Sequence, residues 1–558
     1  MVRKTFKAIT NKISSLQEAA FWLASFSILS QILAFVRDRI LAHNFGAGRE
    51  LDLYYAAFEV PDLIFTTVGS LIGASILIPL FSKWEHSDKK DNLKNNIDSV
   101  FTSFFFLILI CSLLAFILMH YLIPLFFKGF GEEGILKVIK LSRILLLSPL
   151  FLGLSNFFGS IVQYQKRFLL YSLSPFLYNV GIILGAFWGS TTFGISAVIV
   201  GVCLGAFMHM FIQAIWVFNS ASSPNLIKNI NFKEVRKTFS LSIPRTISLS
   251  ATSLVGLFFV VIASKLATGS IAVFTFSLNL QSVPLVIIGA SYSLAAFPTL
   301  ATHYIKKELT ALSECLSMGL RYIIFWSLPI TALFIVLRAH IVRVVLGSGA
   351  FDWSDTRITA AALALFVISI VFQSIQLFLT RAHYAFGRTR LPLLINVVAA
   401  SLTVMLGLIF TRYFTPESFF LMKMATYLKV EGLSRILVLG LPFAYSVGAF
   451  FSAILLWYFL EKEIKNNIRL KILKSFRDSL IVALSVGVST AFALRIFDNI
   501  FSLEYTYGVF FHGFTSGILG IGVGVFVLYL LKNKEFLEIK ARLNNPLNFP
   551  YIKGETKT

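Results

Sequence analysis

Long, nearly unbroken apolar runs constrain this chain more than any other feature. Phe104–Tyr121 and Val198–Val217 each hold an almost wholly apolar stretch, and about 20 helical residues cross the roughly 30 Å hydrocarbon layer of a bilayer. A membrane β-barrel reads differently, as short segments that alternate apolar and polar residues. Only 14% of the 558 residues are charged, against roughly 25% in a soluble domain. The fold class is therefore an all-α polytopic membrane protein. Fourteen spans are predicted, near 19–42, 53–82, 98–126, 137–163, 168–189, 192–218, 239–265, 270–303, 310–337, 356–382, 391–411, 436–460, 478–498 and 507–531.

The net charge of +22 would suggest nucleic acid in a soluble protein. Here the basic residues sit in short connections, which are retained on the cytoplasmic side, so no nucleic-acid partner is implied. With the N-terminus inside, the even-numbered connections and both termini hold roughly 30 of the 49 lysines and arginines, against about ten outside. The segment 465–477, KNNIRLKILKSFR, supplies five of them. Both ends are thus expected in the cytoplasm, in an inner membrane. The first residues, MVRKTFKAITNKISSLQEAA, lack a short apolar core with a cleavage site and read as a retained amphipathic helix.

The chain also repeats itself. FGAGRELDLYYAAFEVPDLI (45–64) resembles LATGSIAVFTFSLNLQSVPLVI (266–287), and GASILIPLF (73–81) resembles GASYSLAAFPTL (289–300). QYQKRFLLYSLSPFLYNVGIILG (163–185) likewise matches HYAFGRTRLPLLINVVAASLTVMLG (383–407). The offset is about six spans, an even number, so the halves are parallel repeats, as in transporters that hold substrate between them. The expected organisation is an N-terminal segment (1–18), a first lobe (19–220), a linker (221–238) and a second lobe (239–461). Two further spans (462–531) and a polar, frayed tail (532–558) complete it.

Catalytic chemistry finds little support. No GxxxxGK[ST] phosphate loop is present, and Cys111, Cys203 and Cys315 lie far apart, with neither disulfide nor metal spacing. No enzyme, cofactor or metal is expected. What stands out is charge inside spans, which costs roughly 2.5–3.5 kcal/mol at mid-bilayer and usually faces a cavity. Arg37, Asp38 and Arg39 lie in span 1, and Asp52, Glu59 and Asp62 in span 2. Arg245 follows Pro244 in an otherwise uncharged stretch of span 7, the repeat partner of span 1. Arg39 reads as snorkelling to headgroups. Arg37 with Asp38 reads as a helix-locking ion pair or as part of a site. Two arginines on repeat-related spans would make an anion site, since their planar forks suit phosphate oxygens. Arg143 and Arg321 are weaker candidates nearer a membrane face. Pro61, Pro79, Pro244, Pro284, Pro298 and Pro329 are expected to interrupt helices.

At these residues the chain resembles a family. SQILAFVRDRILAHNFGAGRELDLYYAAFEVPDLI (30–64), RFLLYSLSPFLYNVGIILGAFWG (167–189), AVFTFSLNLQSVPLVIIGASYSLAAFPTLA (272–301) and LTRAHYAFGRTRLP (379–392) are similar to segments of the MurJ (MviN-type) lipid II flippases. The resemblance implies two six-helix lobes around a central cavity, with two last helices forming a groove for a lipid tail. It implies transfer of an undecaprenyl-diphosphate-linked peptidoglycan precursor from the inner to the outer leaflet. Arg37 and Asp38 match the family's VRD motif, the arginine expected to meet the diphosphate, and Asp52 matches the acid that opens span 2. The sequence departs from the family at Gln31, at Phe65 and Thr66, and near Asn279, where arginines are usual. Arg245 stands as a replacement, with Gln31 and Asn279 as contacts to sugar or peptide. The sodium site described for some members includes an acid on span 7. None lies between Glu234 and Lys265, so that site is not carried over.

The leading expectation is an alternating-access lipid II flippase. Its partners are the polyprenyl-diphosphate-linked glycopeptide lipid, membrane lipids and wall-synthesis enzymes. Other readings are a flippase for O-antigen-type lipid-linked glycans, a cation-coupled multidrug exporter and a membrane scaffold for wall synthesis.

Overall fold

A computed structural model describes residues 16–86, 91–220, 222–464 and 468–544. Residues 1–15 of the expected N-terminal segment and 545–558 of the tail lie outside the described residues. Every regular element among them is helical. In chain order the main helices are α1 (Leu16–Phe45), α2 (Arg49–Thr67), α3 (Ala74–Glu85), α4 (Asp91–Phe126), α5 (Gly131–Leu145), α6 (Leu147–Tyr164), α7 (Phe168–Trp188), α8 (Ile195–Phe218), α9 (Phe232–Ala263) and α10 (Ser270–Leu285). The second half of the chain adds α11 (Ser291–Ile305), α12 (Leu309–Val345), α13 (Trp353–Ala385), α14 (Arg390–Tyr413), α15 (Phe419–Leu428), α16 (Gly440–Ile464), α17 (Ile468–Phe497), α18 (Thr506–Leu530) and α19 (Lys534–Asn544).

Thirteen spans are long and apolar enough to cross a membrane by length and composition. Helix α1 is the fourteenth crossing. Its 30 residues make it about 45 Å long at 1.5 Å per residue, and it packs along the spanning helix α7. The stretch 19–36 of this helix carries no charge, and Arg37, Asp38 and Arg39 follow it. One end of the bundle, the terminal face, carries the start of α1 and the end of α18. The opposite end is the far face.

Helices α1–α8 pack among themselves, as do α9–α16, and α17 and α18 dock on α12. Helix α9 joins the two groups. It packs on α2, α3 and α4 of the first group and on α14 of the second. Several helices outrun their predicted spans, because their ends leave the apolar layer. Span 7 begins at Phe232 rather than near 239, capped by the Asn231 side chain, and span 10 begins at Trp353, capped by Asp352. Most of the predicted connection 461–477 is helical too.

The interruptions fall at glycines, not prolines. Pro61, Pro79, Pro298 and Pro329 all sit inside helices, and only Pro284 stands just before a break. Span 2 breaks between α2 and α3, through a 3-10 turn at Gly69–Leu71 and an extended Gly73. Its repeat partner, span 8, is only loosened, by a π turn at Val286–Ala290. Irregular backbone inside a membrane needs partners for its freed carbonyls. Ser242 Oγ donates to Leu71 O at 2.6 Å, and Asn156 Nδ2 to Gly69 O at 3.4 Å.

The tail departs from expectation as well. Helix α19 is docked rather than frayed. Glu535 is buried, with Oε1 3.5 Å from Arg321 Nη1 and accepting from Ser475 Oγ at 3.1 Å. The Tyr322 hydroxyl donates to Glu538 Oε2 at 2.7 Å. Arg321 is thereby occupied in fastening the last helices to α12. Arg143 lies on the outside of the bundle, over the Phe116 ring at 4.8 Å.

Candidate functional site

The sequence-selected residues fall in three places along the seam between the lobes. The first is the far end, where the lobes are sealed. Asp52, in the first turn of α2, is buried and takes two backbone N–H groups from the start of α10, Gly269 at 2.6 Å and Ala272 at 2.9 Å. Free N–H groups at a helix start carry partial positive charge, so a carboxylate belongs there. The opposite lobe returns the same device. Asp355, in the first turn of α13, accepts from Ala47 N at 3.0 Å and pairs through its other oxygen with Arg435. His43 O accepts from Ala350 N at 2.8 Å, and Arg39 Nη1 donates to Val344 O at 2.6 Å. Arg39 therefore bridges the lobes rather than snorkelling.

Three glycines let these backbones touch. A Cβ on Gly269 would come within 1.9 Å of Ala47 O, on Gly46 within 2.5 Å of Ala350 O, and on Gly349 within 2.4 Å of His43 O. All three residues also have positive φ, a region open to glycine at little cost.

The second place lies one to two turns deeper. Arg37 donates through Nε and Nη2 to Asp38 Oδ1, at 2.9 and 2.8 Å, and through Nη1 to Asn179 Oδ1 at 3.2 Å. Asp38 Oδ2 accepts from Asn279 Nδ2 of the other lobe at 3.1 Å. Arg37, Asp38 and Asn279 are thus one cluster, with Asn179 added from α7. Gln31 stands two turns below Asp38 on the same face of α1, half-buried and without a side-chain hydrogen bond among the described residues. On α2, Glu59 and Asp62 lie about one turn apart, on the face that carries Thr66, and neither makes an ion pair among the described residues.

The third place is a cavity of about 510 Å³ toward the terminal face. Arg245 lines it with Thr66, Asn156, Gln163, Tyr171 and Thr252. The guanidinium is exposed, donates to Ser75 Oγ at 2.5 Å, and lies against Gly73, where a Cβ would meet it at 2.8 Å. The broken backbone of span 2 is therefore what admits Arg245 to the cavity wall. Arg245 is 18 residues below the far end of α9 and Arg37 is eight below that of α1. At 1.5 Å per residue the two arginines differ in depth by roughly 15 Å. Arg37 is not among the residues that line the Arg245 cavity.

Sequence reasoning passed over Asp355 and Arg435, and over the uncharged cavity residues Asn156, Gln163, Tyr171 and Thr252. Asp355 carried one usable signal, the Asp352-x-x-Asp355 pattern of a helix start. The uncharged residues carried none. Beside the appended helices, a nearly all-apolar groove of about 310 Å³ runs between α12 and α18, lined by Leu337, Phe510, Phe514 and Ile518.

Two lobes, a sealed far end and an arginine-bearing cavity of mixed polar and apolar lining toward the terminal face define a polytopic membrane transporter. The structure is similar to that of a lipid II flippase MurJ in an inward closed conformation, with TM-score 0.72, 21% identity, and coverage of 93% of this chain and 99% of that one. It is also similar to a multidrug resistance MATE family transporter of the MOP superfamily in an inward-facing conformation, with TM-score 0.64, 16% identity, and coverage of 79% and 96%. These likenesses concern the fold. The family model for lipid II flippase MurJ matches residues 41–512, and the chain belongs to that family. The probable lipid II flippase MurJ of Buchnera aphidicola subsp. Schizaphis graminum is 26% identical over 396 residues, 70% of this chain and 76% of that protein. Those of Thermotoga maritima (26% over 402 residues, covering 70% and 78%) and Bdellovibrio bacteriovorus (25% over 449 residues, covering 78% and 84%) are similar too.

Proposed function

We propose that this chain moves a lipid II-type precursor, a polyprenyl diphosphate carrying a glycopeptide, from the inner to the outer leaflet of the bacterial inner membrane by alternating access. The observation that carries the reading is the arginine-bearing cavity that lies below a seam closed by reciprocal carboxylates. On the lysine and arginine count the terminal face is cytoplasmic, so this is an inward-side state. The diphosphate meets Arg245 first, because that guanidinium is the accessible one. Arg37 is held by Asp38 and Asn179 in the empty protein. It becomes available when cargo donors compete for the Asp38 carboxylate, whose other oxygen is already held by Asn279. Gln31 and Asn279 contact sugar or peptide, and the apolar groove beside α18 takes the lipid tail. Asp52 acts in the seal rather than on cargo. Outward release requires the seal to open while the cytoplasmic side closes, which exchanges one set of interlobe contacts for another.

The test is complementation of a strain depleted of its own lipid II flippase. Wild type should restore growth, and Arg245→Ala, expressed equally, should not. Full rescue by Arg245→Ala would remove the diphosphate role. Failure of wild type would favour another polyprenyl-linked glycan as cargo. A specific observation supports that second reading. Glu59 and Asp62 lie on the face of α2 that carries the cavity residue Thr66, while Gln31, Phe65, Thr66 and Asn279 stand where the family resemblance leads one to expect cations. Restored display of a surface glycan without restored wall synthesis would decide for it.

A further inference from the structure

The segment between α14 and α16 carries Arg435 of the far-end seal and a short helix, α15, to which the proposed function gives no role. Helix α15 is ten residues long and has two apolar sides. One faces the protein, where Leu421 and Ala425 are buried, one turn apart. The other faces away, with Phe419 74%, Met422 49% and Tyr427 79% exposed. Lys423 shares that outward side, its Nζ 5.7 Å over the Phe419 ring. The last turns of α14, just before α15 in the chain, also expose Met405, Leu408 and Tyr413, with Arg412 6.0 Å over the Tyr413 ring. Aromatic rings mixed with lysine and arginine at the end of a spanning helix suit the headgroup boundary, where the ring is immersed and the cation reaches water. A short helix with one face in that boundary lies flat on the bilayer.

The chain leaving α15 ties this helix to the seal. Lys429 ends the helix with φ +60, and Gly432, φ +74, turns the backbone toward the protein again. Between them Val430 is buried, and Lys429 O accepts from Arg357 Nε at 2.9 Å and Nη2 at 2.6 Å. The chain then delivers Arg435 to Asp355, the carboxylate that also holds Ala47 N–H of the other lobe. Arg435 stands close enough to the seam that a Cβ on Gly269 would lie 3.1 Å from its Nη1.

We propose that α15 is an interfacial anchor in the outer leaflet and that its contact with the phospholipid surface braces the far-face seal through Lys429 and Arg435. The partner is the lipid boundary itself, engaged by Phe419, Met422 and Tyr427 with Lys423 at the headgroups. The inference rests on the proposed orientation, with the far face outside. Its consequence is that the sealed state is linked to the surface of the leaflet that receives the cargo. Withdrawing α15 from the lipid loosens Arg435 and favours the open outer mouth.

Two measurements on the full-length protein in lipid vesicles test this. A spin label on a Tyr427→Cys variant should relax faster with lipid-soluble oxygen than with a water-soluble nickel chelate. The reverse order overturns the anchor, and protection from both reagents overturns it in favour of a protein partner on α15. The second measurement follows the seal, through labelling of an Ala47→Cys variant by an impermeant maleimide added outside. Adding Phe419→Ser, Met422→Ser and Tyr427→Ser should raise that rate several-fold, as should Arg435→Gln alone. A rise with Arg435→Gln but none with the three serines overturns the brace. Labelling that occurs only from the cytoplasmic side overturns the orientation, with which the outer-leaflet assignment falls, while the lipid contact of α15 is read separately from the spin label.

Discussion

The two ends of the interlobe seam are built on different chemistry. At the far end the contacts run from carboxylates to backbone N–H groups and from backbone to backbone, buried, with three glycines removing the Cβ atoms that would hold the lobes apart. Toward the terminal face the lining is side chain: one exposed arginine, hydroxyls, amides and a tyrosine around open space. A seal made from backbone has one geometry and either forms or does not. A cavity lined by side chains can lose or exchange members and still hold a polar head group. The first end therefore decides which state the transporter is in, and the second decides what it carries.

That contrast can be broken at its strictest point. Gly269→Val should have the largest effect, because the added Cβ would overlap Ala47 O at 1.9 Å and nothing there can yield without parting the lobes. Loss of complementation is expected, with greatly increased maleimide labelling at the Ala47→Cys position. Normal labelling would show that the lobes do not close by this contact. Asp52→Ala should come next. It strands two buried N–H groups, and hydrogen bonds to a charged group are worth roughly 1.5–3 kcal/mol each. A loss of about 3 kcal/mol shifts the sealed-to-open ratio by about 100-fold. Asp52→Asn should recover part of this by keeping one acceptor, so the pair of variants separates loss of charge from loss of acceptor.

Arg245→Ala should act on the other end alone. Flipping activity should fall severely while labelling at the seal stays at the wild-type rate. Arg245→Lys should be intermediate, since an ammonium lacks the two-pronged geometry of guanidinium. Asn279→Ala removes a single interlobe hydrogen bond to the Asp38 carboxylate, worth roughly 1.5 kcal/mol at the lower end, and should change the seal about tenfold. The smallest effect is expected from Asp62→Asn, an exposed carboxylate. It should modestly raise apparent affinity for a diphosphate-bearing lipid, and lowered affinity would favour a cargo with a positively charged head.

Much of the architecture is legible in the sequence. Apolar run length marked out the spans, span 1 included, and the repeat at about 220 residues paired span 2 with span 8, but the interruptions expected at prolines fall instead at the small-residue segments. The kind of break was not legible. Gly73 and Gly289 occupy matching places in the repeat, yet one chain segment unwinds and the other only loosens. The difference lies in what packs alongside, Ser242, Asn156 and Arg245 at the first, and Ser374 at the second, within 3 Å of a Cβ added to Gly289. Charge in an apolar span singled out Arg37, Asp38, Asp52 and Arg245, since the cost of burying charge can be read in one dimension. Their division into seal, cluster and cavity could not be, because each role depends on a partner far along the chain.

By itself, then, the sequence determined that this chain crosses a membrane many times, in two related halves, with a few charges held against the cost of burial. Those are consequences of local composition and periodicity. Only the tertiary structure decided that Asp52 serves the start of α10, 217 residues away, and that Asp355 serves Ala47, 308 residues away. A carboxylate satisfies whichever donor the fold brings to it, and no short-range pattern records which donor that will be.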